Sequence, residues 1–347
     1  MIKNKVTMAV ATGSMLLGTI SGVFLATEFT TKNDCQARLN DPAPLSQANR
    51  EFLERCVSAF TLPTPTPGPT TPVPTTAPAT TRPPTTTPPS GFPTPATTGV
   101  PNGWVPTQVR TSNLRVTAAN SVIQDLRITG SITIAAVNVT IRRVEVINGS
   151  IDLTNAACQN GNTLIEDTSI IGAPGHPDGA IRPGGYTARR VEVNGPQEGY
   201  RDGGRSIGCG PVTIEDSFAR AVAPSPCPDW HGDALQGYDG PPLIVRNVTL
   251  ELVERSNCGG TAPFFVPRNQ GNTSVDVNRL LVIGGGYTFR LGMPGRVVAL
   301  RIATGWAYGP IDVRCSVVPT WEAQIVNVNN YSPSFVRNQT CNTESGF

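Results

Sequence analysis

Three short phrases set an aspartate among residues that can transfer protons or form hydrogen bonds to sugars. They are His176-Pro-Asp-Gly-Ala-Ile181, Tyr200-Arg-Asp-Gly-Gly-Arg205 and His231-Gly-Asp-Ala-Leu-Gln236. If consecutive turns of a repeat stack the phrases in register, Asp178, Asp202 and Asp233 form a column whose neighbours lie roughly 5 Å apart. Carboxyl pairs about 5 to 5.5 Å apart serve retaining glycosidases, and pairs about 6.5 to 9.5 Å apart serve inverting ones. The spacing therefore favours acid–base chemistry on a carbohydrate.

The third phrase has the residue types of a proton-transfer group with its support. His231 is a candidate acid or base, Asp233 would orient it, and Gln236 would face a sugar hydroxyl. Asp178, Asp202 and Arg205 join His231 and Asp233 as candidate catalytic residues. The candidate substrate-binding residues are Gln236, His176, Arg182, Trp230, Tyr238 and Arg290.

The aspartate column has two other interpretations. Stacked carboxylates repel each other, and a calcium ion bound by the oxygens of Asp178, Asp202 and Asp233 would relieve the repulsion. Alternatively, an aspartate at a turn hydrogen-bonds its own backbone, and a repeat of such turns makes the column purely architectural. Both interpretations stay open at this point.

A repeated strand phrase must position these residues. Each copy is a run of β-prone residues in which apolar and polar positions nearly alternate, and copies recur at intervals of roughly 18 to 32 residues, as in a solenoid. The clear copies are Val122–Ile128, Thr140–Val146, Leu164–Ile170, Thr213–Ala219 and Leu243–Thr249, and looser ones are Thr187–Val193, Val277–Val282, Val297–Ile302 and Ile325–Val328. We therefore predict an all-β fold, a right-handed parallel β-helix of about nine coils over residues 100–347.

The strand phrases, Val-x-Ile-x followed by Asp, Arg or Asn, with a second strand after a glycine-rich loop, resemble the pectate-lyase-like superfamily over residues of about 100 to 345. The resemblance implies acidic residues that hold Ca²⁺ against a uronate, and an arginine that removes the C5 proton. Arg182, Arg205 and Arg290 are the candidates for that role, although an arginine base needs an unusual environment because its pKa is above 12. The phrase His231–Gln236 is similar to a His-x-Asp-Gly-Ile-Gln phrase of bacterial β-helix proteins. No single enzyme family matches, since the Gly-His-Gly loop and Arg-Ile-Lys strand of polygalacturonases are absent.

The first 99 residues differ in composition from the rest. Residues 1–27 contain the uncharged stretch Val6–Ala26 after two lysines, which predicts a signal peptide or a signal-anchor helix. Residues 28–60 read as a small helical segment with a disulfide between Cys35 and Cys56. Residues 61–99 are a threonine- and proline-rich linker, a composition that favours an extended chain.

Charge and cysteine content restrict the function. The net charge is only +2, so nucleic acid is not an expected partner. The chain has eight cysteines, an even number without a close C-x-x-C pair, which favours disulfides in an exported protein. Pairing of nearest neighbours joins Cys158 to Cys209, Cys227 to Cys258 and Cys315 to Cys341.

The sequence thus predicts an extracellular protein, secreted or anchored to the membrane or cell surface, with a polysaccharide as its partner. The leading hypothesis is a polysaccharide lyase or glycoside hydrolase that acts on an acidic or cell-wall glycan, with His231 and Asp233 central. The alternatives are a carbohydrate-binding or adhesion protein without catalysis, and a structural β-helix protein of a virion or cell surface.

Overall fold

The computed structural model describes residues 91–153, 158, 161–172, 179–227 and 230–346, which belong to the compact unit Pro84–Phe347. The predicted N-terminal helix, the helical segment with Cys35 and Cys56, and the linker up to residue 90 lie outside these residues, as do His176 and Asp178. Within the described part of the chain, no helix is long and apolar enough to cross a membrane.

The described residues form short strands. In chain order these are β1 (Gln108–Arg110), β2 (Leu114–Val116), β3 (Val122–Thr129), β4 (Ile132–Ile134), β5 (Thr140–Ile147), β6 (Ile151–Asp152), β7 (Thr163–Glu166), β8 (Ser169–Ile171), β9 (Tyr186–Arg189), β10 (Glu192–Asn194), β11 (Tyr200–Gly203), β12 (Val212–Val222), β13 (Asp233–Tyr238), β14 (Leu243–Val253), β15 (Ala262–Val266), β16 (Val275–Ile283), β17 (Tyr287–Leu291), β18 (Gly295–Ala303), β19 (Gly309–Val313), β20 (Thr320–Asn329) and β21 (Ser332–Asn338). Within the described residues, helix is limited to the 3₁₀ turns Arg205–Ile207, Arg268–Gln270 and Cys315–Val317.

Strands from successive repeats pair in parallel. A 13-stranded sheet, here the long sheet, follows the order β1-β3-β5-β7-β9-β12-β14-β16-β18-β20-β21, with β8 and β10 beside this path. A five-stranded sheet, here the short sheet, has the order β11-β13-β15-β17-β19, and β2-β4-β6 form a third. The ladder between β20 and β21 is antiparallel. The expected all-β fold is confirmed, and its long parallel sheet is consistent with a β-helix solenoid.

A left-handed residue near the middle of each repeated phrase explains why the phrases only nearly alternate. Ile141 and Val144 are both buried, because Arg143 at φ 49° lets two residues in succession face outward. The same conformation recurs in the long sheet at Asp125, Asp167, Arg190, Asp216, Asn247, Arg279 and Ala299. Side chains of this column bond to each other across coils: Arg143 donates to both carboxylate oxygens of Asp125 at 2.7 and 2.8 Å.

Large apolar side chains stack in the interior behind the short sheet. Register places one such residue per coil in a single inward column: Leu114, Ile132, Ile151, Ile181, Tyr200, Leu235, Phe264, Phe289 and Ile311. Phe264 and Phe289 stack with ring centroids 4.5 Å apart. Burial of this column fixes the register of the short sheet, because a slip of one residue would turn these side chains to the outer face.

Three disulfides form between the cysteines that nearest-neighbour pairing predicted. Cys158 bonds to Cys209, Cys227 to Cys258, and Cys315 to Cys341. The predicted pair of Cys35 and Cys56 lies outside the described residues.

Residues 91–107, here the strap, cross the outer face of the long sheet, although the sequence analysis assigned residues up to 99 to the linker. Phe92 is 8% exposed and packs with Leu281 and Val326. Farther along, Gly99 N–H donates to Arg190 O at 2.8 Å, and the Trp104 indole donates to Asp125 at 3.3 Å. The body therefore begins before residue 100.

Candidate functional site

A column of side chains runs along the outward face of the short sheet and its N-terminal continuation. Each member follows one residue of the inward column. Arg201 is paired with Gln236, Gln236 with Phe265, Phe265 with Arg290, and Arg290 with Asp312. Ile181 forms isolated parallel β-bridges with Ile151 and with Tyr200. Asp152 follows Ile151 and Arg182 follows Ile181, so these two residues extend the series. We call Asp152, Arg182, Arg201, Gln236, Phe265, Arg290 and Asp312 the polar column; neighbours are about 4.8 Å apart along the stack.

The predicted aspartate column is wrong for the two members that the structure describes. Asp202 is paired with Gly237, whereas Asp233 is paired with Ala262. Asp233 precedes Gly237 by four residues, roughly 13 Å along a strand. The register follows the inward pair Tyr200 and Leu235, so the two phrases do not stack, and the expected carboxyl spacing of a glycosidase does not arise from Asp202 and Asp233.

Trp230, His231 and Asp233 lie where β13 begins. His231 is exposed, but Asp233 is 1% exposed and its Oδ1 accepts a hydrogen bond from Ala262 N–H at 3.1 Å. Its Oδ2 has no hydrogen-bond partner among the described residues. The prediction that Asp233 orients His231 is therefore wrong.

Burial changes the chemistry of Asp233. Burial raises the pKa of the Asp233 carboxyl well above its ordinary value, and the nearby Glu198 carboxylate raises it further. Asp233 is consequently a neutral acid at a pH where an exposed aspartate is ionised.

Trp230 packs against the protein surface. Its indole donates to Gln197 O at 3.0 Å, and the side chain is buried. A Cβ at Gly232 would lie 2.0 Å from the ring, so only glycine fits under it. The buried Trp230 is therefore fixed beside Gln197, the residue before Glu198, and offers little exposed surface to a substrate.

Asp202, Arg205 and Tyr238 lie at the other end of the short sheet's strands, where β11 and β13 end. Asp202 is 1% exposed, and neither carboxylate oxygen has a partner among the described residues. Burial raises its pKa well above the ordinary value, with a further contribution from Asp239. Arg205 lies 3.3 Å from the Asp239 carboxylate, and Tyr238 is exposed. These three residues are separated from His231 by the length of β13.

The described residues do not fit the calcium site that the sequence suggested. Asp202 lies near the end of β11, whereas Asp233 lies at the beginning of the neighbouring strand β13. Asp178 lies outside the described residues. No group of three or more His, Cys, Asp or Glu side chains suited to a metal ion occurs in the described part of the chain.

Three predicted binding residues, Arg182, Gln236 and Arg290, do come together, because all belong to the polar column. Arg201, Phe265 and Asp312 also belong to the polar column, although the sequence did not predict them as site residues. They could have been found by aligning the large inward residues of successive coils and taking the next residue in each.

Each arginine of the polar column pairs with a carboxylate. Arg182 lies 3.4 Å from Asp152, and Arg290 lies 2.8 Å from Asp312. Arg201 Nε donates to Glu198 at 2.9 Å. These side chains are recessed, since the arginines are 25%, 15% and 20% exposed. Such pairs hold their donors and acceptors in fixed directions.

Aromatic rings flank the arginine at the C-terminal end of the column. The Arg290 guanidinium lies 5.2 Å from the centroid of Phe265 and 5.4 Å from that of Tyr287. Tyr308, which is 78% exposed, lies next to Tyr287 with ring centroids 5.8 Å apart. The exposed ring supplies an apolar face suited to stacking on a sugar.

No protein-family model, curated protein or solved structure matches the chain.

Proposed function

We propose that the chain is an exported protein that binds a linear polysaccharide along the polar column of a right-handed parallel β-helix. The handedness follows from the strong preference of parallel strand connections for right-handed crossovers. Membership of the pectate-lyase-like superfamily is part of this proposal and is supported by the repeated strand phrases and the parallel sheets.

One observation carries the proposal: polar and aromatic side chains, one per coil, lie in register on the outward side of the strands. Phe265 and Asp312 are buried there, and the arginines are partly exposed. Arginine, aspartate and glutamine supply directed donors and acceptors for hydroxyl groups, and an aromatic ring supplies an apolar face. A solenoid presents such groups as an extended surface, which suits a polymer with a repeating unit.

Export and surface location are supported by the disulfides at Cys158, Cys227 and Cys315, because such bonds persist in oxidising compartments. In this proposal the N-terminal segment directs export or retains the protein at a membrane.

The test measures polysaccharide binding by the full chain. Replacement of Arg201 or Arg290 by alanine should weaken binding at least about tenfold, because a hydrogen bond to a charged group contributes roughly 1.5 to 3 kcal/mol. Arg296→Ala is the matched control, since Arg296 pairs with Asp276 in the long sheet. Equal binding by all these variants would contradict the proposal.

Cleavage of the bound polymer is a second candidate function, favoured by the neutral acid Asp233 beside Glu198. In glycoside hydrolysis a carboxyl that stays protonated can serve as the acid while a second carboxyl serves as the base. Release of reducing ends by the wild type and its loss in Asp233→Asn, with polymer binding retained, would support a hydrolase. A lyase would instead release an unsaturated product, which ultraviolet absorbance detects.

A further inference from the structure

We infer that the polymer bound by the polar column is uncharged, and that the carboxylates of Glu198 and Asp312 select against acidic polysaccharides. The inference rests on the proposed function and names its ligand class. It differs from the acidic glycan that the superfamily resemblance implies.

The arginines of the polar column are balanced by carboxylates. Arg182 pairs with Asp152, Arg201 with Glu198, and Arg290 with Asp312. The other members, Gln236 and Phe265, carry no charge. Each of these three arginines is therefore matched by a carboxylate of the protein before a ligand arrives. Arg115, which the register places farther along the same outward series toward the N-terminus, lies outside the polar column.

These arginine–carboxylate pairs suit hydroxyl groups better than a ligand carboxylate. A hydroxyl group both donates and accepts hydrogen bonds, and an arginine–carboxylate pair offers an acceptor next to a donor. A uronate carboxylate only accepts. To reach Arg290 it would have to lie beside Asp312, which is 7% exposed on its side chain, so that the repulsion acts in a recessed region where water screens it weakly.

Asp312 is the residue to change in a test of this inference. Its Oδ2 faces Arg290, and its Oδ1 accepts a hydrogen bond from Gly346 N–H at 2.9 Å. Asparagine keeps the shape and an oxygen for Gly346, but it removes the negative charge. Asp312→Asn should thus keep the hydrogen bond to Gly346 and give the column a net positive charge at this coil.

The experiment uses the full chain, a panel of neutral polymers (a β-glucan, a mannan and a xylan) and two uronates (polygalacturonate and alginate), each at 50 and 500 mM NaCl. Wild type should bind a neutral polymer with little change between the two salt concentrations, and should bind the uronates at least tenfold more weakly. Asp312→Asn should lose at least threefold in affinity for the neutral polymer and gain salt-sensitive binding to a uronate.

Two further variants make the outcome specific. Glu198→Gln should shift preference in the same direction through Arg201, whereas Asp276→Asn, which alters a pair with Arg246 and Arg296 in the long sheet, should change nothing. Thermal unfolding of each variant identifies a folding defect, and if Asp312→Asn unfolds, Glu198→Gln alone decides.

The possible results separate the two ideas. Preferential, salt-sensitive binding of a uronate by the wild type, reduced by Arg201→Ala, would overturn the inference and leave the proposed function standing. Unchanged preference in both Asp312→Asn and Glu198→Gln would also overturn it. Failure of the wild type to bind any polymer, or binding that ignores Arg201 and Arg290, would overturn the proposed function itself.

Discussion

Arg290 and Asp312 occupy paired positions of β17 and β19, and both Nε and Nη2 of the arginine approach Asp312 Oδ2, at 2.9 and 2.8 Å. The other carboxylate oxygen accepts the hydrogen bond from Gly346. One carboxylate therefore joins the polar column to the C-terminal tail, and its removal would disturb both.

We expect Asp312→Ala to lower the free energy of unfolding by about 3 to 5 kcal/mol, because it leaves a recessed guanidinium without this carboxylate. Urea unfolding measures the change. Asp276→Ala is the comparison, since that carboxylate is 40% exposed and its pairs with arginine should contribute at most about 1 kcal/mol. Similar losses in the two variants would mean that burial does not strengthen the Arg290 pair.

Phe92 anchors the strap to the long sheet. Phe92→Ala should cost about 3 to 5 kcal/mol in unfolding free energy if the strap unfolds together with the body. If the strap detaches locally, protease cleavage between residues 91 and 107 should instead accelerate while the global transition stays the same. Phe335→Ala, at a 61% exposed phenylalanine, should do neither. Phe92→Ala behaving like Phe335→Ala would contradict the packing described.

The buried Asp202 should make stability depend on pH. Its pKa is raised in the folded state, so the unfolded chain ionises first, above about pH 4, and rising pH then favours unfolding. Asp202→Asn cannot ionise, and should therefore be more stable than wild type at pH 7 but equal to it near pH 3.5. Urea unfolding at both pH values tests this. Lower stability of Asp202→Asn at pH 7 would show that Asp202 is ionised and compensated in solution.

Asp125 should make stability depend on pH in the opposite direction. Its hydrogen bonds with Arg143 lower the pKa of the carboxyl to about 2. The stability that ionised Asp125 contributes is present above the unfolded value near pH 4 and is lost as pH falls toward 2. Asp125→Asn should therefore be less stable than wild type at pH 7, with the difference shrinking in acid. A difference that is constant with pH would mean that the charge of Asp125 is not involved.

The disulfide between Cys227 and Cys258 closes the loop that carries Trp230 and His231. The double variant Cys227→Ser and Cys258→Ser should lose about 3 to 4 kcal/mol of unfolding free energy, as estimated for a closed loop of 31 residues. Polymer binding should also weaken, because Trp230 of this loop bonds to Gln197, the residue before the Glu198 that pairs with Arg201. Urea unfolding under non-reducing conditions and a binding titration measure the two effects. A variant as stable as wild type would contradict the expected contribution of the disulfide.

The strands could be predicted because burial repeats with them. Val122–Ile128 and Thr140–Val146 fall within β3 and β5, since apolar residues such as Ile128 and Val146 must face the interior in every coil. The left-handed residue inside each phrase was not foreseen, because Asp125 and Arg143 read as ordinary polar positions of a strand.

The site was harder to predict because coils differ in length. Matching the phrases aligned Asp202 with Asp233, whereas the structure pairs Asp202 with Gly237. The register depends on burial of Tyr200 and Leu235, and the aspartates have no influence on it. Arg182, Gln236 and Arg290 lie on one outward face because each follows an inward side chain of its coil. The ion pairs of Arg182 with Asp152 and of Arg290 with Asp312 depend on the register between coils.

The strap gives the body a direction for mechanical load. Its first described residues contact Arg279 of β16, and its last lie against Asp125 of β3, so it runs along the stack of coils. A force applied at residue 91 along the stack acts on these contacts together in shear. Applied across the stack, the same force would peel them one at a time, beginning with Phe92. The protein should thus resist traction better along the solenoid axis than across it.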